Sequence, residues 1–350
     1  MPARGVKQPQ RFDLAIVGSS AQTRDLRQAL VERRFPYAEV RLLGAPDGEA
    51  ELTEFDGEPR LVGRANAESL AGVQLAFFCG DPATGGDYRG WPERGGYLAI
   101  DLTEGAGAVE DLPLAHAGLL SPLTPRRGWI AAAHPITHLL VSFLAPLDSR
   151  FRLAGVRGVV LRPAGDFGKP GIDELYQQSV SLLSFSAVPR TVFERQLAFN
   201  LLAGESPGPS RSLGLFVSAQ TAALLGRPEL PVSVFLCVAP VFHAHTAALH
   251  LEFESRPTEG ALHELLRAAG DVQVSPEPLT AVEVAGERRP QVALLRTDPE
   301  QRSAWMWAVA DQVPAVAAQG AVRLAERLLG VEPRPQSPGR RADARGGAQA

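Results

Sequence analysis

The stretch Trp129-Ile-Ala-Ala-Ala-His-Pro-Ile-Thr-His-Leu-Leu-Val-Ser-Phe-Leu-Ala-Pro146 decides how this 350-residue chain is read. Residues 129–133 are short, apolar and followed by a turn signal, the pattern of a buried strand. Pro135 fixes φ and lacks an N–H, so it suits the first turn of a helix that begins at once. From Ile136 onward the apolar residues give that helix a buried face. A strand running straight into a helix is the unit of an α/β protein, and such folds place their chemistry at that junction. His134, Pro135, Ile136, Thr137 and His138 are therefore the first residues to weigh.

Toward the N-terminus the same unit recurs. Residues 12–17 read as a buried strand and 18–24 as a turn. Residues 21–34 read as a helix, with Leu26, Ala29 and Leu30 at helical spacing, and 40–43 as a second strand. Further strands are expected at 60–63, 74–79 and 97–101, with a loop over 80–96 and irregular chain over 112–123. The strand at 129–133 closes this sheet. The turn Gly18-Ser19-Ser20-Ala21 lies before a helix N-terminus, where free N–H groups attract anions. A dinucleotide fingerprint asks for further glycines where Ala21 and Arg24 stand. Two readings stay open: a weak nucleotide site at Gly18, Ser19, Ser20 and Ala21, or an ordinary Rossmann-type turn.

Beyond Pro146 the pattern changes. Strands are expected at 156–161, 232–242, 247–253, 272–274, 291–295 and 305–310. Helices are expected at 172–183, 213–225, 258–269 and 315–329, with Thr258 as N-cap. Long strands of this kind suggest one large, mostly antiparallel sheet whose exposed face needs covering. Residues 1–10 and 331–350 have too little apolar surface to fold and are expected to be disordered.

Composition narrows the classes. With 35 basic and 39 acidic residues the chain has no broad basic field for nucleic acid. Its two cysteines, Cys79 and Cys237, lie in apolar runs and imply no disulfide framework. No apolar run is long enough for a membrane span, and residues 1–11 lack a signal core, so a soluble, cytoplasmic protein is expected.

Several segments together resemble the aspartate-semialdehyde dehydrogenase superfamily. They are Arg34-Phe-Pro-Tyr-Ala-Glu-Val-Arg-Leu-Leu43, Gly168-Lys-Pro-Gly-Ile-Asp-Glu-Leu-Tyr-Gln177, Gln196-Leu-Ala-Phe-Asn-Leu201, Ala239-Pro-Val-Phe-His-Ala-His245, Leu249-His-Leu-Glu-Phe-Glu254 and Trp307-Ala-Val-Ala-Asp311. The resemblance implies an α/β Rossmann-type, NAD(P)-binding-like domain over residues 11–133 plus 312–330. It also implies an α+β dimerisation domain over 134–311 and a homodimer. The family reduces aspartyl phosphate to the semialdehyde with NADP, through a cysteine thioester, a histidine base and an arginine that holds the substrate carboxylate. Here Thr137 takes the cysteine position and His245 the base position. Val238 takes the substrate-arginine position, and Arg162 stands for a glutamine beside the reacting centre. Asp101-Leu-Thr-Glu-Gly-Ala-Gly107 lacks the arginine of that segment. A hydroxyl is far less acidic than a thiol, so the usual thioester chemistry is not expected. The Usg-type paralogues depart at the same motifs and are the better match. A dimeric scaffold or ligand-binding protein is thus the leading expectation, with NADP possible by resemblance. An NADP-dependent oxidoreductase of altered substrate or mechanism is the alternative.

His134, His138, His243 and His245 also admit a metal or Thr–His hydrolytic reading, but their spacings match no zinc motif, so no metal is expected. Asp173-Glu174 reads as acidic charge at a helix N-terminus.

Overall fold

The computed structural model describes residues 10–18, 21–44, 51–79, 88–102, 112–120, 124–204, 213–287, 289–298, 300–311 and 313–332. Eight strands make the first sheet: β1 (Phe12–Val17), β2 (Tyr37–Gly44), β3 (Glu51–Phe55), β4 (Glu58–Arg64), β5 (Leu75–Phe78), β6 (Leu98–Asp101), β7 (Leu114–Ala115) and β8 (Gly128–Ala132). Their order is β3-β4-β2-β1-β5-β6-β8-β7. Neighbours run parallel except β3 and β4, which pair antiparallel. Leu14, Ile16, Phe77 and Ile100 are buried in this sheet, because a parallel sheet is covered on both faces.

One expectation for this half is extended and two need correction. The strand expected at 60–63 lies within β4, the second strand of a hairpin with β3. Asp56 and Gly57 both adopt positive φ (54° and 78°), the twist a two-residue hairpin turn demands. Within the loop expected over 80–96, α2 (Trp91–Gly95) forms, with Pro92 near its start and a left-handed Gly96 at its end. The chain expected to be irregular over 112–123 contributes β7, which pairs parallel with β8, so β8 is last in sequence but not at the sheet edge.

The second sheet contains β9 (Leu153–Arg162), β10 (Leu202–Ala203), β11 (Val232–Val238), β12 (His245–Phe253), β13 (Gln273–Val274), β14 (Gln291–Asp298) and β15 (Ser303–Ala310). The order is β10-β11-β9-β12-β15-β14-β13. Only β9 with β11 and β13 with β14 are parallel, so the sheet is mostly antiparallel as expected. Two details differ. The strand expected over 232–242 stops at Val238, since Pro240 has no N–H to continue a ladder. The segment around His243 is then no hairpin, because β9 lies between β11 and β12.

The stretch from β8 into α3 (Pro135–Phe151) joins the two sheets. β8 belongs to the first sheet, while Ile136, Leu140, Phe143, Leu144, Leu147 and Phe151 of α3 sit in the core under the second. Each such side chain contributes about 2 kcal/mol on burial. That gain explains why α3 continues five residues past Pro146, where a proline interrupts the helix ladder. The opposite side of α3 meets α7 (Val313–Leu329). α7 returns to the first sheet, and its Ala318, Ala321, Val322 and Ala325 pack with Leu26, Ala29 and Leu30 of α1 (Ala21–Glu32). Arg33 and Glu326 add a buried two-pronged ion pair at 2.9 and 2.6 Å. Residues 1–9 and 333–350 lie outside the described residues. Val331, assigned above to the tail, instead donates its N–H to the Glu326 carbonyl at 2.8 Å and packs on the first core.

Candidate functional site

The C-terminal end of β9 and the start of β12 are antiparallel neighbours, with Thr246 opposite Leu161. This register alone sets Arg162 beside His245. The chain after β9 turns through a 3-10 segment, Ala164–Phe167, that carries Asp166. Ala164 and Gly165 donate their N–H groups to the carbonyls of Val241 (2.8 Å) and Phe242 (3.0 Å), tying this turn to the segment before β12. A Cβ at Gly165 would stand 2.8 Å from the Phe242 oxygen, so glycine permits the approach.

The Asp166 carboxylate is consequently shared. Its Oδ2 accepts from Arg162 Nε at 2.7 Å and bonds His245 Nε2 at 2.9 Å. Arg162 also lies over the Phe167 ring, 5.1 Å from its centre. Burial opposes the charge on Asp166, but attraction and hydrogen bonding from His245 and Arg162 outweigh it. The carboxyl is held well below the usual range.

His134 closes the site from α3. It is the N-cap: its Nδ1 accepts from the Ile136 N–H at 3.2 Å, and its own N–H donates to Gln220 Oε1 of α5 (Leu213–Leu224) at 3.0 Å. Burial, reinforced by the charge of Arg162, pushes its pKa down to about 3, so the ring is neutral near pH 7.

Thr137 is fully buried, and its hydroxyl has no hydrogen-bond partner among the described residues. The structure thus gathers Arg162, Asp166, His245 and His134, and gives Thr137 no bonded base. Val238 lies opposite Arg162 across β9 and β11, but it is fully buried among Ala164, Leu175, Phe193 and Leu197. His138 turns away from this cluster and bonds His116, 2.9 Å from Nδ1 to Nε2. Among the described residues no group of side chains could hold a metal ion.

Two residues that shape the site carried no sequence signal of their own. Asp166 sits in a Gly-rich segment without a motif. Glu174, read above as acidic charge at a helix N-terminus, is buried in α4 (Gly168–Leu183) and accepts the backbone N–H groups of Thr191, Val192 and Phe193 at 2.5 to 3.1 Å. It folds the segment packed against Val238.

At the first-sheet turn, Gly18 has φ +132°, and a Cβ there would come 2.0 Å from the Cys79 carbonyl oxygen. Glycine is needed for that backbone approach whether or not a ligand binds. Ser19 and Ser20 lie outside the described residues, as does the side chain of Ala21. With α1 beginning at Ala21, the described turn holds one glycine of the dinucleotide fingerprint and does not fit that motif.

Residues 144–314 match the family of the semialdehyde dehydrogenase dimerisation domain. The chain is 28% identical to an aspartate-semialdehyde dehydrogenase of Prochlorococcus marinus over 328 residues, covering 90% of this chain and 95% of that protein. It is also 28% identical to a USG-1 protein homolog of Azotobacter vinelandii over 332 residues, covering 91% and 98%. The structure of aspartate semialdehyde dehydrogenase II from Vibrio cholerae superposes with a TM-score of 0.81 over 92% of this chain and 99% of that one, at 24% identity.

Proposed function

We propose, from the premise that the chain is a member of the aspartate-semialdehyde dehydrogenase superfamily, a dimeric ligand-binding or scaffold protein that does not carry out the thioester reaction. The carrying observation is Thr137, whose buried hydroxyl has no base bonded to it where the family reaction needs a thiolate. Val238, inside a hydrophobic core, leaves a substrate carboxylate without its arginine. This pattern is the ground for reading the chain with the Usg-type relatives, since its identity to a USG-1 homolog and to a dehydrogenase is the same, 28%.

The domain division at about residue 133, with residues 312–330 returning to the first unit, is part of the same reading. The homodimer is supported by an apolar face that one chain leaves open. Tyr176, Val180 and Leu183 form a stripe at i, i+4 and i+7 on α4, continued by Phe185, and all four are exposed.

The test uses purified protein with NADP⁺ and NADPH, and with an acyl phosphate or a semialdehyde as substrate. No turnover is expected. Turnover together with nucleotide binding below about 100 μM would sink the reading and favour the alternative, an NADP-dependent oxidoreductase of altered substrate. The observation on that side is the Arg162–Asp166–His245 network, which keeps a histidine oriented at the family's base position. Thr137→Val separates the two. If the hydroxyl has no chemical role, the isosteric methyl is neutral or stabilising by about 1 kcal/mol, because a buried unpaired hydroxyl is removed.

A further inference from the structure

A cavity of about 200 Å³ lies away from the Asp166–His245 cluster, where α3, α7 and the segments at 116, 270–271 and 289–290 meet. Its lining includes His116, His138, Asp271, Arg289, Gln319 and Arg323.

The two histidines are ordered in one direction. The Gly118 N–H donates to His116 Nδ1 at 3.2 Å, so that nitrogen is unprotonated. A neutral His116 therefore carries its hydrogen on Nε2 and donates it to His138 Nδ1 at 2.9 Å. His138, also neutral, is left with its hydrogen on Nε2. Burial holds both rings in the neutral form near pH 7. His138 is 8% exposed and lines the cavity, and no protein acceptor meets its Nε2–H among the described residues. A donor that faces a cavity without a protein acceptor is open to water or to a ligand. Space for the ring comes from Gly320 of α7, where a Cβ would stand 2.5 Å from His138 Cε1.

The charges at the cavity favour an anion. Asp271 is balanced by Arg323 at 2.9 Å. Arg33 is balanced by Glu326. Arg289 is exposed and has no carboxylate partner among the described residues, which leaves the lining with a net positive charge.

We propose that this cavity is a binding site for a small oxyanion, a carboxylate or a phosphate, held by the Nε2–H of His138 and the guanidinium groups of Arg289 and Arg323. The site joins α3 to α7 and to the end of α6 (Glu259–Ala269), so an occupant ties elements of the two sheets together.

The test is thermal unfolding of the full chain at pH 7.5 with inorganic phosphate or succinate, each against potassium chloride at equal ionic strength. A saturable rise in the unfolding midpoint above the chloride control is expected. Phosphate alone, succinate alone or both raising it would identify the source of the oxyanion. Arg289→Gln, at an exposed position, is expected to abolish the rise without lowering the ligand-free midpoint. Gly320→Ala, which drives a methyl into the His138 ring, is expected to weaken it. A rise of equal size in Arg289→Gln, or none beyond chloride with either anion, would overturn the proposal.

Discussion

At the scale of single residues, Asp166 is the pivot of the candidate site. One carboxylate oxygen neutralises Arg162 and fixes His245, and the side chains of Arg162 and Asp166 are only 14% and 11% exposed. Removing one member of a largely buried charge network strands the others. Asp166→Ala is expected to lower stability by about 3 kcal/mol, read from the midpoint of urea unfolding. A loss below about 1 kcal/mol would mean that water already screens the network. Val238 gives the opposite lesson. Installing arginine there to mimic the family would push a charge into the core formed by Ala164, Leu175 and Phe193. Val238→Arg is expected to yield insoluble or unfolded protein, scored by soluble yield and circular dichroism. A soluble, folded variant would show that the core can open for a substrate-binding arginine.

At the scale of elements, α4 and the segment after it are held by side chain to backbone bonds rather than by a sheet. Glu174 takes three N–H groups, and Gln178, one turn later, bonds the Pro189 and Arg195 carbonyls and the Leu197 and Ala198 N–H groups. A chain of turns thereby becomes a wall of the site. Glu174→Ala leaves three backbone donors unpaired, and the buried one, of Phe193, costs about 1 kcal/mol or more. Faster hydrogen exchange and protease cutting are expected over residues 187–201, while β9 and β12 stay protected. Uniform loss of protection across both sheets would show that the segment is not a separate unit. α3 works at the same scale: its N-cap faces the candidate site, its apolar face the second sheet, and His138 the oxyanion cavity.

At the scale of the whole molecule, three buried histidines make stability depend on pH. His116, His134 and His138 have pKa values lowered by burial to about 4, about 3 and about 3. Unfolding restores values near 6.5, so between those limits the unfolded chain binds more protons. Their contribution is complete above pH 6.5 and is lost as the pH falls. Near pH 5 three protons are taken up on unfolding, a slope of about 4 kcal/mol per pH unit. Urea unfolding from pH 7.5 to 5 checks this directly. A flat profile across that range would show that the three rings are already solvated in the folded protein.

The sequence by itself determined the order of most strands and helices, the two-sheet architecture and its relationship to one superfamily. These follow from local patterns: apolar runs at 12–17 and 75–78, helical spacing at Leu26 and Leu30, and a proline that starts a helix at 135. The resemblance read from it places Thr137 and Val238 where a thiol and an arginine are expected, and the proposed function rests on that reading. Tertiary structure alone decided what those residues touch. Asp166 became a partner of His245 through the register of β9 with β12, seventy-nine positions apart in sequence. Glu174, read as charge at a helix N-terminus, is instead a buried acceptor because the chain after α4 folds back over it. His138 left its neighbour Thr137 for His116, since adjacent residues on a helix point about 100° apart. Contacts between distant segments leave no periodic mark in the sequence, and in this protein those contacts build both the candidate site and the oxyanion cavity.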